Sequence, residues 1–318
     1  MITYLKKDTA GFSGTAQDSP EVQWIIAEAP TKEEADHLIS TYELPKDYIT
    51  SVLDEREMAR SEGNWQNASE HPALILVQYP IASLSPSGYM QLDTFPCAVI
   101  QAKNEKLITV TNRTTDFINE VRTENLSQSQ LSTKNAILFQ LLWRISKHYN
   151  SFLAKIITEI GDLEGELKIA TENSQLYQMM DIQKSLVYFE SAISENISVI
   201  RQLYDTRKEA QKFDHLPHLH DILVEMKQAL TTTKIQLKLV NQISSTFSSI
   251  VSNNLNIVMK ILTSLTIVLT IPTIIGGIYG MNVKLPFASR EDAFLWIFII
   301  TSIVCIGVIR FLKKRNLL

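Results

Sequence analysis

The sequence predicts an α+β protein: an N-terminal α/β domain, a long helical stalk and two C-terminal membrane spans. Three observations point there. Short β-type runs alternate with capped helices over residues 1–125, helical periodicity takes over from about Leu131, and two long uncharged segments lie near the C-terminus. The expected divisions are a cytosolic α/β domain over 1–125, a helical bundle and stalk over 126–260, and a membrane domain over 261–318.

Residues 2–5 and 22–27 are the first β-type runs. Thr31 caps a helix, with Glu34 three residues on as a capping box requires. A second helical stretch is expected from residue 45 to about 60. Residues 73–81, 89–101 and 107–111 are β-rich, with turns supplied by residues 85–88 and 104–106. Beyond Leu131, Ile137, Leu141, Ile145 and Tyr149 recur at four-residue spacing. Leu163, Leu167 and Ile169 continue the pattern, and Ile182, Leu186, Phe189 and Ile193 repeat it. Asp214 and Pro217 mark a new helix start. After Pro217 no glycine appears until Gly276, and the only proline before it is Pro272. One helix of roughly 60 residues, about 90 Å long, is therefore expected. It needs parallel neighbours, most simply copies of itself.

The mean hydropathy of +0.01 averages two unlike regions. No charge falls in residues 261–283 or 293–309. A hydrocarbon core about 30 Å thick takes roughly 20 helical residues, so spans are expected at about 261–282 and 293–312. A buried hairpin of a soluble protein would also be apolar, but these runs are adjacent, long and followed by a basic tail. Residues 261–318 carry six Lys/Arg and two acids, +4 against −4 for the whole chain, which leaves −8 for residues 1–260. An acidic region repels phosphates, so nucleic acid is not expected as a partner; attraction of cations suits it better. The first 20 residues hold no apolar run of the kind a secretory signal needs. Cys97 and Cys305 lie far apart and suggest no disulfide. Lys260 precedes the first span, and Arg310, Lys313, Lys314 and Arg315 end the second. In the loop, Lys284 and Arg290 are offset by Glu291 and Asp292. A multi-pass protein of the cell membrane, with both termini cytoplasmic and a short outer loop, is the expectation.

Within the first span Thr263, Thr266, Thr270 and Thr273 share a face with Asn256 and Gly277, while Ile267, Val268, Ile271 and Ile275 lie opposite. A polar seam in an apolar helix marks a face turned to water or to other helices. Two other accounts stay open. Each hydroxyl can bond back to the preceding turn, and Gly276 and Gly280 form a small-residue packing pair. Pro272 removes one backbone bond and is expected to bend the helix there.

At the outer end of this span the sequence reads IPTIIGGIYGMNVKLP over residues 271–286. Tyr279, Gly280, Met281 and Asn282, after a long stalk and before one more span with a basic tail, resemble the signature of the CorA family of magnesium transporters. The likeness extends to NNLNIVMKILT (253–263) and to an acidic/basic turn at 54–60. It implies a funnel-shaped homopentamer in the lipid bilayer, with the first span lining a central pore and Asn282 forming a ring at its outer mouth. The physics fits: magnesium sheds water reluctantly, and neutral amide oxygens can accept hydrogen bonds from its bound waters without holding it too tightly for exit. Gly280 would let the backbone approach closely, and Tyr279 and Met281 would brace the loop. The resemblance implies inward passage of hydrated Mg2+, with Co2+ or Ni2+ also carried.

Aligned on that motif, the family's pore positions fall on Asn256, Met259, Leu262, Thr270, Thr273 and Gly277, with Thr266 on the same stripe. Thr270 stands where members often carry an apolar gate residue, which shifts the expected constriction toward Leu262. Residues 226–260 contain no Asp or Glu, and Lys284 follows the motif where acids are common, so Glu291 and Asp292 would concentrate cations at the mouth. Asp221 falls on a regulatory carboxylate where Mg2+ between cytosolic domains would hold the pore closed. His215, His218 and His220 beside it suit Zn2+, Ni2+ or Co2+ better than Mg2+, which makes a zinc transporter of the same family the alternative. A membrane-anchored scaffold or sensor is a more distant one. The sequence carries no P-loop, GxSxG, HExxH, GxGxxG or paired-cysteine zinc pattern, and an enzyme is not expected.

Overall fold

A seven-stranded mixed sheet is the centre of residues Met1–Ser244, the first of two compact units. The computed structural model describes the whole chain except residues 9–10, 56, 66–70, 125–130, 168–172, 212–214, 284–285, 287–291 and 316–318.

The strands are β1 (Ile2–Asp8), β2 (Gly11–Gly14), β3 (Trp24–Glu28), β4 (Arg60–Glu62), β5 (Ala73–Leu84), β6 (Met90–Gln101) and β7 (Leu107–Thr111), in spatial order β2-β1-β3-β7-β6-β5-β4. Only β3 and β7 pair in parallel; the other neighbours are antiparallel. Helices α1 (Lys32–Tyr42), α2 (Asp47–Thr50) and α3 (Asp116–Thr123) are short, whereas α4 (Thr133–Leu167) and α5 (Asn173–Glu209) have 35 and 37 residues. Helix α6 (Leu216–Tyr279) runs 64 residues without a break, and α7 is Ala293–Lys314. The α+β class and the long helix before a C-terminal apolar helix are thus as the sequence predicts.

Side-chain alternation builds two cores on one sheet. Ile25, Leu74, Leu76, Ala98, Ile100 and Ile108 face α1 and α2, packing on Leu38, Tyr42 and Ile49. Trp24, Ile26, Ile75, Val77, Cys97 and Val99 face the opposite way, into a larger core with α4, α5 and the first turns of α6. Covering on both faces explains why the central strands read as near-continuous apolar runs. The Thr31–Glu34 capping box forms in both directions, at 3.2 and 3.0 Å.

The sequence reading departs from the structure in three places. The helix expected over 45–60 stops early: α2 passes into a 3-10 turn at Ser51–Leu53, Asp54 is extended, and Arg60–Glu62 becomes an edge strand on β5. Tertiary pairing overrides local propensity there. Strand β2 was not anticipated; Gly11 stands at φ +138, where an added Cβ would come within 2.9 Å of the Arg122 carbonyl oxygen. Helix α3 falls between the runs that were assigned. Ile169 and Asp214 lie outside the described residues.

One buried side chain ties α5 to the sheet. The Gln78 backbone of β5 turns both its N–H and its carbonyl toward α5: the N–H donates to Asn196 Oδ1 at 2.8 Å, and Asn196 Nδ2 donates to the Gln78 carbonyl at 2.7 Å, as a neighbouring strand would. Tyr149 Oη also donates to that carbonyl, at 3.1 Å. Asn196 is fully buried. Asn196→Ala orphans the Gln78 N–H and opens a small cavity, and is expected to cost about 2–4 kcal/mol. The midpoint of chemical denaturation of the purified protein reads this; a shift worth under about 1 kcal/mol would mean that the clamp is redundant.

Candidate functional site

The second unit, Ser245–Leu318, holds residues 245–279 of α6 and all of α7. Among the described residues these are the two helices long and apolar enough to cross a membrane.

The two helices meet along one face each. On α7 the half-buried or buried residues are Ala293, Ile297, Thr301, Ser302, Cys305, Val308 and Leu312, nearly all at helical spacing. On α6 they are Ser264, Val268, Ile271 and Ile275. Cys305 Sγ lies 4.0 Å from the Val268 carbonyl oxygen. That carbonyl is the one Pro272 leaves without a donor, being four residues before it. A thiol from the neighbouring helix thus replaces the lost backbone bond, which is how membrane helices tolerate proline. Sequence reading used Cys305 only to judge disulfides; the signal for its partner was Pro272 minus four.

At about 100° per residue, the α7-covered stripe centres opposite the hydroxyl stripe. Asn256, Met259, Leu262, Thr263, Thr266, Thr270, Thr273 and Gly277 fall within an arc of about 120° on the other side. All eight are exposed in the single chain. The hydroxyls bond back to the preceding turn: Thr266 Oγ1 to the Leu262 carbonyl (2.9 Å), Thr270 to Thr266 (2.7 Å) and Thr273 to Leu269 (3.0 Å). Back-bonding uses each proton and leaves the oxygen lone pairs directed off the helix, free to accept from water.

Helix α6 ends at Tyr279, and Gly280 closes its last turn, N–H to the Gly276 carbonyl at 2.9 Å. A Cβ on Gly280 would stand 3.3 Å from that oxygen, so the turn into Met281 and Asn282 is tight. Tyr279 Oη donates to the Pro286 carbonyl at 3.2 Å, tying helix end to loop. Asn282 is exposed and has no hydrogen-bond partner among the described residues. Asp292 accepts the Trp296 indole N–H at 2.8 Å. Glu291 and Lys284 lie outside the described residues.

Of the histidines beside Asp221, His215 and His218 make contacts in this unit. Arg207 of α5 is 2% exposed, and burial lowers its pKa to about 10. It donates to Asn135 Oδ1 at 3.0 Å and to His215 Nδ1, and lies over the Phe139 ring at 4.9 Å. Guanidinium nitrogens only donate, so His215 Nδ1 accepts and carries no proton. His218 stacks on Phe139 at 6.1 Å, and His220 and Asp221 are exposed. Among the described residues no three His, Cys, Asp or Glu side chains gather as a metal-ligand set.

An α/β unit and a helix of 64 residues whose apolar end pairs with a second apolar helix, one polar face left open, fit a membrane transport protein. Residues 19–314 match the model of the family described as CorA-like Mg2+ transporter protein, and the chain belongs to that family. The cobalt/magnesium transport protein CorA of Methanocaldococcus jannaschii is 23% identical over 310 residues, covering 92% of this chain and 90% of the relative. The complete structure of the CorA magnesium transporter from that organism superposes with a TM-score of 0.78 at 20% identity, over 99% of this chain and 98% of that one. The ZntB cytoplasmic domain from Vibrio parahaemolyticus shares the fold over 76% of this chain and 97% of its own, with a TM-score of 0.52 at 12% identity.

Proposed function

We propose that the protein is a homopentameric channel that passes hydrated Mg2+ inward, with residues 261–318 as its membrane domain and both termini in the cytoplasm. The observation that carries this reading is the coverage of α6. Helix α7 takes the aliphatic face and leaves the hydroxyl, amide and glycine face open along the whole span. Lipid is a poor partner for that face, and copies arranged about a shared axis would turn it to water. Asn256, Thr266, Thr270, Thr273 and Gly277 then line the pore, Met259 and Leu262 form its apolar constriction, and Tyr279 to Asn282 shape the outer mouth, with Glu291 and Asp292 nearby. No ATP-binding motif accompanies it, and the membrane potential supplies about 4.6 kcal/mol per 100 mV for two charges. Asp221, exposed on α6, is a ligand for Mg2+ between neighbouring copies, which holds the pore shut. His218 and His220 are not part of that site in this reading, and zinc is not the preferred ion.

Purified protein in vesicles with an imposed inside-negative potential tests this. Uptake of Mg2+, with Co2+ or Ni2+ at lower rates, is expected. Zn2+ uptake without Mg2+ uptake would reassign the ion. In the same assay Asp221→Lys should keep the channel open at millimolar internal Mg2+, and an unchanged Mg2+ response would remove Asp221 from gating.

A further inference from the structure

A cleft of about 830 Å³ opens in the first unit between the β5–β6 hairpin and α5. Its described lining carries four acids (Glu55, Glu57, Asp93, Glu195) and two bases (Arg113, Lys184). Glu55 is paired with Arg113 at 2.8 Å, and Glu57 with Arg60. Asp93 and Glu195 have no ion-pair partner among the described residues, yet both are held in place. Asp93 accepts from Gln91 Nε2 at 3.0 and 3.1 Å and from Ser83 Oγ at 3.4 Å. Glu195 accepts from the Ala59 N–H at 3.0 Å and Ser191 Oγ at 3.2 Å. Neutral donors fix a carboxylate without cancelling its charge.

At the floor lies a second, independent sign. Gln78 is 4% exposed, its Nε2 donates to the Glu57 carbonyl, and its Oε1 has no donor. A buried acceptor without a donor, on the same cleft lining as two carboxylates that have no ion pair among the described residues, calls for a cation that brings its own N–H groups. Among the described residues the acids do not converge as a metal-ligand set, which argues against a bare divalent ion held by direct coordination. Phe95, Tyr188 and Ala192 add apolar wall between the charges. Lys184 is drawn aside, toward Gln91 Oε1 at 3.4 Å and over the Tyr188 ring at 5.7 Å.

We propose that this cleft binds a linear aliphatic polyammonium cation, its ammonium groups on Asp93, Glu195 and Gln78 Oε1 and its methylenes on the aromatic wall. The full-length protein in detergent, titrated calorimetrically with spermidine, tests it. One saturable site per chain is expected, weakened about tenfold or more by each of Asp93→Asn and Glu195→Gln. Both changes are isosteric and keep one acceptor oxygen each, and unchanged melting temperatures would show the fold intact. Absence of saturable binding overturns the proposal, as does binding that survives in the double variant. Displacement of spermidine by equimolar Mg2+ also overturns it, because the occupant would then be a hydrated metal ion.

Discussion

Asn282→Ala is expected to abolish discrimination for magnesium while leaving the assembly intact. The side chain is exposed at the turn that follows α6, so its removal costs little in folding. In the proposed pore its value lies in what the amide oxygen does for the ion. A hydrogen bond to a charged partner contributes about 1.5–3 kcal/mol, and water polarised by Mg2+ is such a partner. Losing that contact around the mouth should lower Mg2+ flux, relative to monovalent ions, by roughly tenfold to a hundredfold. Asn282→Asp is the informative companion: a carboxylate keeps the acceptor, strengthens capture and slows release, so affinity should rise while maximal flux falls. Ion flux into vesicles, measured for Mg2+ and Na+ in parallel, gives both numbers. An unchanged ratio in the alanine variant would remove the amide ring from selectivity.

Much of the fold was legible because its signals are local or periodic. The capping box at Thr31, the four-residue spacing from Ile137 to Tyr149 and the uncharged spans each require only a short window of sequence. What the sequence hid depends on distant partners. Arg60–Glu62 is a strand because β5 offers an edge, and the Gln78 backbone N–H is satisfied only because Asn196 arrives from a helix more than a hundred residues later. The candidate site divides the same way. The hydroxyl stripe follows from spacing and the close approach at Gly280 from the resemblance of the motif, but the face that α7 occupies follows from neither, since either side of α6 could have received it. Only the half-buried residues and the Cys305 contact decide that. His215 accepts at Nδ1 from Arg207, a pairing across a stretch that no spacing rule covers.

The orientation of α6 has the sharpest consequence for a labelling experiment. Cysteines placed at Thr270 or Thr273 in a Cys305→Ser background should react with a charged, membrane-impermeant methanethiosulfonate, and the bulky cation left behind should block most of the flux. The serine keeps a donor for the Val268 carbonyl, and Cys97 is fully buried, so neither supplies a competing thiol. Ile271→Cys and Ile275→Cys lie on the α7 side and should stay unmodified, because a charged reagent enters a lipid- or helix-facing seam at a cost of several kcal/mol. The contrast in rates, rather than either rate alone, is the measurement, since it cancels differences in expression and reconstitution. Fast reaction at Ile271 with none at Thr270 would turn the helix by half a revolution. The hydroxyl face would then be a packing surface, and the back-bonds from Thr266, Thr270 and Thr273 would be serving only to hide their protons from lipid.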